Sequence, residues 1–298
     1  MDGYYGQVKQ SYKPVASGFH IRLMSPLGVY PDRSIILADA AFIVSPELCF
    51  SIVRIVKEDW GFSEVDSLAP LDIPLFGGLI LSGAGYPYPF SGATLESQTH
   101  EALTPGCIAE CRQHLLIALE EQKAHEGPAA IVHRPPILGG RAYDLYDYGG
   151  LTERVRDCIA LLDTASPVML RGIASLIKAQ MAWRHGEFAD AACIYLWIAL
   201  DAAHSLTLQK LRESGVQNPT SKDASDHFDE IAGFETPWEK FFEEDYENRI
   251  RAIHPDNRFG AEARPQFLAD DFYELNELLI PYFRYLVTGE FNNRYMAE

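Results

Sequence analysis

Phe188-Ala189-Asp190-Ala191-Ala192-Cys193-Ile194-Tyr195-Leu196-Trp197-Ile198-Ala199-Leu200-Asp201-Ala202-Ala203-His204-Ser205-Leu206 is the stretch on which the fold turns. Phe188, Ala192, Tyr195, Ala199, Ala202 and Leu206 recur at alternating steps of four and three, the spacing of a helix with a core-facing stripe. The pattern predicts a helix over 188–212, stopped at Gly215. Outward from it, Pro167 to Trp183 carries Leu170, Ile173, Ala174, Ile177 and Met181 on one face, and Leu151 to Asp163 forms a shorter helix. From Leu151 to Gly215 there is one proline, Pro167, and two glycines before the last residue, Gly172 and Gly186. Helices joined by loops this short pack as antiparallel neighbours, so a bundle is expected. Beyond it, Gln217 to Gly233 reads as a loop or short helix. Pro237-Trp238 opens a segment with Phe242, Tyr246, Arg249, Ile250 and Ile253, interrupted at Pro255. A last helix is expected from about Pro265 to Leu286, with Leu268, Phe272, Leu275, Leu279, Tyr282 and Leu286 in phase and Pro281 inside it.

The first half differs. Pro14, Gly18, Pro26, Gly28, Pro31, Pro46, Gly61, Pro70, Pro74 and Gly77-Gly78 punctuate it, which suits strands and loops. Phe19 to Leu23 alternates as a strand does, Ser34 to Leu37 is a second candidate, and the apolar run Ile73 to Leu81 a third. Ser45-Pro46-Glu47 reads as a helix start, with Leu48, Ile52, Ile55 and Val56 at helical spacing. Pro105 to Glu126 reads as a helix with Ile108, Cys111, Leu115 and Leu119 on a stripe. Residues 128–150 hold no sustained period. The fold class is therefore an α+β domain over residues 1–150 followed by an all-α helical bundle over 151–298.

The chain of 298 residues has 47% hydrophobic content, enough to offset the entropy of ordering. Forty-two acidic residues against 25 basic ones give a formal charge of −17, so no diffuse basic field draws polyanions and any nucleic-acid contact is local. The start, Met1 to Gly6, lacks the pattern of a secretion signal, and no long uninterrupted apolar stretch suggests a membrane span; a cytoplasmic protein is expected. Five scattered cysteines read as reduced, buried thiols. Cys107 and Cys111 fall on one helical face, yet two thiols without further ligands make a weak metal signal; no metal and no cofactor are expected. Ser82-Gly83-Ala84-Gly85-Tyr86-Pro87 lacks a third glycine and a Lys-Ser/Thr, and Pro87 and Pro89 deny it the helix start of a phosphate cradle. Isolated His20, His100, His114, His125 and His133 have no partner at metal-ligand spacing.

One segment carries chemistry: Glu243-Glu244-Asp245-Tyr246-Glu247-Asn248-Arg249-Ile250-Arg251-Ala252-Ile253-His254-Pro255. Pro255 forces His254 out of the helical region, which sets the imidazole at a helix C-terminus, where the dipole stabilises its charged form. Arg249 offers a permanent, planar charge suited to a phosphate. The plainer reading pairs Arg249 with Asp245 or Glu244 on its own helix and leaves His254 as a cap. The balance of residues 151–298, 15 basic against 25 acidic, also opposes RNA.

Arg249 to His254 resembles the Arg-x4-6-His motif of the HEPN superfamily, helical-bundle domains found in many metal-independent ribonucleases. Ala179 to Ala192 and the alanine-rich Ile198 to Ala203 are similar to that family's opening helices, so the resemblance spans roughly residues 165–290. It implies a HEPN-like bundle and an endoribonuclease site at a homodimer interface. His254 would move the 2′-hydroxyl or leaving-group proton, and Arg249 would stabilise the phosphorane. The implied products carry a 2′,3′-cyclic phosphate and a 5′-hydroxyl. Asn248 precedes the arginine, and Arg251, Arg258 and Arg264 would hold flanking phosphates. The role implied is a toxin or antiviral-defence effector whose first half senses a trigger, binds a regulatory partner or restrains the nuclease. The competing expectation is a non-catalytic dimerising module that binds a small ligand or protein through Tyr86, Tyr88 and Phe90.

Overall fold

The computed structural model describes residues 18–24, 30–31, 33–45, 48–55, 68, 71–83, 89–95, 102–126, 151–183, 188–233, 241–242 and 269–291. Five strands form one antiparallel sheet: β1 (Gly18–Met24), β2 (Ile35–Ile36), β3 (Ala40–Val44), β4 (Cys49–Ile55) and β5 (Pro89–Leu95), in the order β2-β3-β4-β1-β5. The helices are α1 (Asp72–Leu81), α2 (Pro105–Glu126), α3 (Leu151–Asp163), α4 (Pro167–Trp183), α5 (Ala189–Glu213), α6 (Ser221–Ala232) and α7 (Ala269–Thr288). An α+β half followed by a helical half is thus what the chain builds. The expected boundary, residues 128–150, lies outside the described residues.

Strand alternation divides the sheet's side chains between two layers. Phe19, Ile21, Leu23, Ala41, Ile43, Phe50 and Ile52 face α2, which returns Cys107, Cys111 and Leu115. Met24, Phe42, Cys49 and Val53 face the other way, onto α1. Behind α1 the same apolar cluster continues without a break through Val155, Ile159 and Leu162 of α3, Ile173 and Ile177 of α4, and into α5 and α7.

Two elements reverse their sequence reading. Ile73 to Leu81, expected as a strand, is helix α1, with Asp72 in its first turn matching the positive end of the helix dipole and Pro74 at a position where no helical N–H is needed. Nine of its ten residues are buried, so no polar face betrays the 3.6-residue period. Gly77 and Gly78 let it lie close to the bundle: a Cβ on Gly77 would meet Ile173 Cγ2 at 2.5 Å, and one on Gly78 would meet Ile159 Cγ1 at 2.4 Å. Conversely, the helix expected from Ser45 is strand β4. The Ser45 side chain closes a turn instead, its Oγ donating to the Leu48 carbonyl at 2.8 Å and accepting from the Leu48 N–H at 3.2 Å. Val44 then pairs with Cys49 in a hairpin. The Ser-x-x pattern serves a turn as readily as a helix start. Strand β3 and strand β5, the latter beginning at Pro89 on the sheet edge, had no sequence expectation.

In the helical half α3, α4, α5 and α7 agree with their predicted spans to within a few residues and the faces widen; of the segment expected from Pro237 to Pro255 only Phe241 and Phe242 are among the described residues. Helix α5 buries Ala192, Ala199 and Ala202 as expected, together with Cys193, Leu196, Trp197, Leu200 and Ala203, because α4, α6 and α7 all pack on it. Phe188, expected on the core stripe, is 57% exposed at the α5 N-cap. Gly172 marks another close crossing: its Cβ would lie 2.6 Å from Phe283 Cζ and 3.0 Å from Ala202 Cβ. By length and composition α5 is apolar enough to cross a membrane, and half of that apolar window is buried against its neighbours. Helix α6 starts at a capping box, in which Thr220 and Asp223 satisfy each other's backbone N–H groups, and ends at Gly233 in the left-handed region, φ 67°.

Candidate functional site

The residues that carry the sequence expectation, Arg249 and His254 with Asn248, Arg251, Arg258 and Arg264, lie outside the described residues, as do Tyr86 and Tyr88. Phe90 lies in β5, not in a loop. The structure does describe the helices between which the motif runs in the chain, α6 before it and α7 after it, and one anchor on the way.

That anchor is Phe241-Phe242, seven residues before Arg249. Phe241 stacks on Phe228 of α6 with ring centroids 3.9 Å apart, and Phe242 lies 5.1 Å from the His204 ring of α5 and 6.2 Å from Tyr282 of α7. Three helices therefore share the aromatic nest that holds Phe241 and Phe242, the two residues before the motif segment. Thr207 and Tyr282 close its floor through a hydroxyl–hydroxyl bond of 2.7 Å, and Thr207 also donates to the Ala203 carbonyl at 2.8 Å. Burial pushes the Tyr282 phenol above its ordinary range, so the nest holds it as the neutral phenol.

Beside it is a second three-helix cluster. His227 Nε2 of α6 lies 3.0 Å from the Tyr285 hydroxyl of α7, and Lys210 Nζ of α5 sits 4.8 Å from the centre of the Tyr285 ring. Burial lowers the basicity of both imidazoles. For His204 it is the sole cause; for His227 Glu230 acts in the opposite sense and Lys210 adds to the fall. A folded imidazole less basic than an unfolded one, near 6.5, means that the fold favours the neutral ring. The stability so linked is fully present above that value and is lost as pH falls through the lower folded values. Thermal unfolding midpoints are expected to drop between about pH 7.5 and pH 5.5. Replacing both histidines by glutamine should flatten that drop; an unchanged slope would locate the pH dependence elsewhere.

A third cluster is buried at the sheet–helix junction. Arg22 of β1 donates through Nε to Asp72 Oδ2 of α1 at 2.7 Å, and His20 Nδ1 is 3.6 Å from the same oxygen. All three are at most 4% exposed. Register places Arg22 directly opposite Ser51 of β4. The geometry fixes the α1 N-terminus on the sheet and offers no open face to a substrate. Gln180 and Asn276 form a comparable buried bridge between α4 and α7, Gln180 donating through Nε2 to Asn276 Oδ1.

The cysteines are free and buried, in agreement with their sequence reading. Burial pushes the Cys49 and Cys111 thiols up to about 12, away from the thiolate needed for nucleophilic or metal chemistry. Among the described residues no three His, Cys, Asp or Glu side chains converge as a metal site would require. Sequence reading had passed over His204, His227 and Tyr285. For His227 the signal was present, since Thr220-x-x-Asp223 and Gly233 bracket α6 as its caps.

Comparison of the chain with models of known families, with curated proteins and with solved structures finds no match.

Proposed function

We propose that the chain is a metal-independent endoribonuclease of the HEPN type, cytoplasmic, acting as a homodimer, with Arg249 and His254 as its catalytic pair. The observation that supports this best is the helical half itself. The Arg-x4-His segment falls in the chain between α6 and α7, both packed on α5, while α4 and α5 form the closely packed antiparallel pair that the sequence resemblance calls for. Opposed Arg–His pairs in one groove suit RNA scission. One imidazole takes the proton of a 2′-hydroxyl as its oxygen attacks phosphorus. The P–O5′ bond breaks, and the leaving oxygen receives a proton from the other imidazolium. Arg249 meets the charge that builds on the equatorial oxygens. Asn248, Arg251, Arg258 and Arg264 would steady flanking phosphates against the acidic surroundings. On this reading the sheet half, joined to the bundle through α1, regulates cleavage through a partner or small ligand.

Digestion of a mixed RNA substrate in EDTA tests it. Wild type is expected to cut and to leave 2′,3′-cyclic phosphate ends, and Arg249→Ala and His254→Ala each to reduce cutting at least a hundredfold with folding intact. A wild-type protein that leaves RNA intact, alone and with its expression host's extract, would favour the non-catalytic dimerising module. The specific observation on that side is charge, 15 basic against 25 acidic residues over 151–298, which repels a polyanion unless the site is locally basic.

A further inference from the structure

Helix α6 is joined to α5 by residues 214–220, where Gly215 (φ 99°) and Asn218 (φ 52°) take left-handed backbone. Its capping box at Thr220 and Asp223 and its stop at Gly233 cap both ends from within. An apolar face of Ala224, Phe228 and Ala232 holds it to the bundle, with two meetings on α7: Phe228 lies edge-on to Tyr282 at 4.9 Å, and His227 Nε2 is 3.0 Å from the Tyr285 hydroxyl. Phe241 rests on the same Phe228 ring, so displacing α6 removes the stack that anchors the chain before residues 243–255.

Both imidazoles at this interface are set against a positive charge. His204 of α5 lies 5.1 Å from the Phe242 ring, and its Nε2 is buried without a hydrogen-bond partner. Of the charged groups on α5 and α6 nearest it in the chain or across the interface, Asp201, Asp226, Asp229 and Glu230, none offsets this: desolvation alone lowers the ring's basicity. Tyr282, on α7, is a neutral phenol. His227 answers to Glu230 on its own helix, to Lys210 of α5 and to the phenol of Tyr285. Lys210 Nζ already sits 4.8 Å from the centre of the Tyr285 ring, so a proton on His227 puts a second cation there. Glu230 travels with α6 and favours the imidazolium whether the helix is docked or free. Lys210 stays on α5 and opposes it only while α6 is docked.

We propose that His204 and His227 form a proton-operated latch: with both rings neutral, α6 and Phe241-Phe242 lie on α5 and α7, and protonation releases them together while α4, α5 and α7 stay packed. The three remaining helices meet through contacts that contain neither histidine, Gly172 against Phe283 and Ala202, Trp183 on Phe272, and Gln180 with Asn276. Released rings meet water and take up protons near 6.5, docked ones only at lower pH, so the open form gains as pH falls below that value. The latch belongs to the bundle and holds whether or not the segment beyond it cuts RNA.

Hydrogen–deuterium exchange of the full chain at about pH 7.5 and about pH 5.5, each rate divided by the intrinsic rate at that pH, tests this. Protection of α6 and of peptides containing Phe241-Phe242 is expected to fall about tenfold at the lower pH, while α4 and the middle of α5 keep theirs. His204→Phe combined with His227→Gln should abolish the fall, and Lys210→Gln should reduce it about twofold to threefold. Should the double variant melt early at the higher pH, Lys210→Gln carries the test, since it changes a partly exposed side chain. Equal loss of protection in α4, α5 and α6 would mean general unfolding and overturn the latch. So would an α6 equally protected at both pH values, or a fall that neither variant alters.

Discussion

Asp72→Ala is expected to remove about 3–5 kcal/mol of folding stability, the largest loss from any single substitution considered. The carboxylate accepts from Arg22 Nε at 2.7 Å in a place where Asp72 is fully buried and Arg22 is 4% exposed. Taking away the carboxylate leaves the guanidinium desolvated between the sheet and α1, 4% exposed, and without its 2.7 Å ion pair. The pair need not itself be a large net source of stability, because desolvating two ions costs about as much as their attraction returns. The double variant Arg22→Met, Asp72→Leu is therefore expected to recover most of what the single one loses. Urea unfolding midpoints measure both. A loss under about 1 kcal/mol for Asp72→Ala would mean that the guanidinium escapes to solvent. Because α1 is also the layer between the sheet and the bundle, the single variant should loosen both halves together, seen as one broadened transition.

Why the pair stayed hidden in the sequence follows from the same geometry. Arg22 and Asp72 are fifty residues apart in the chain, on a strand and on a run that reads as another strand. Local periodicity tells which way a residue faces only where one side meets water. Helices α2 to α5 and α7 each keep a polar side, and their spans were readable to within a few residues. Helix α1 buries nine of its ten residues, so Ile73 to Leu81 shows no polar face. In and just before β4 the apolar residues Leu48, Phe50, Ile52 and Val53 are buried on both faces of the sheet, so the spacing of Leu48, Ile52 and Ile55 reads as a helix that the strand does not form. Strand β5 exists because β1 offers it a ladder from Phe19 to Met24, a partnership that Pro89 and Gly92 do not announce. The candidate site divides in the same way. The Arg-x4-His spacing is local and visible in the chain, whereas the nest of Phe228, Phe241, Phe242, His204 and Tyr282 that holds the approach to it draws on three helices and exists only after folding.

Gly77→Ala with Gly78→Ala is expected to destabilise the protein by about 2–4 kcal/mol, although alanine favours helix over glycine by about 1 kcal/mol per site. The two effects oppose each other, and contact distances decide between them. At Gly78 the added methyl would lie 2.4 Å from Ile159 Cγ1 and 3.2 Å from the Val155 carbonyl oxygen; at Gly77 it would lie 2.5 Å from Ile173 Cγ2 and 2.9 Å from Leu162 Cδ1. A side-chain tip can rotate away, but Val155 O belongs to the α3 backbone, so relief requires α3 to move off α1. Overpacking of this kind costs about 1–3 kcal/mol per site, more than the propensity gain returns. A double-mutant cycle separates packing from propensity. Ile159→Ala alone should destabilise by leaving a cavity, yet combined with Gly78→Ala it should cost less than the sum, since the new methyl enters the space the isoleucine vacated. Strict additivity in chemical denaturation, or a gain in stability from the double alanine variant, would show that α1 and α3 do not meet at these glycines.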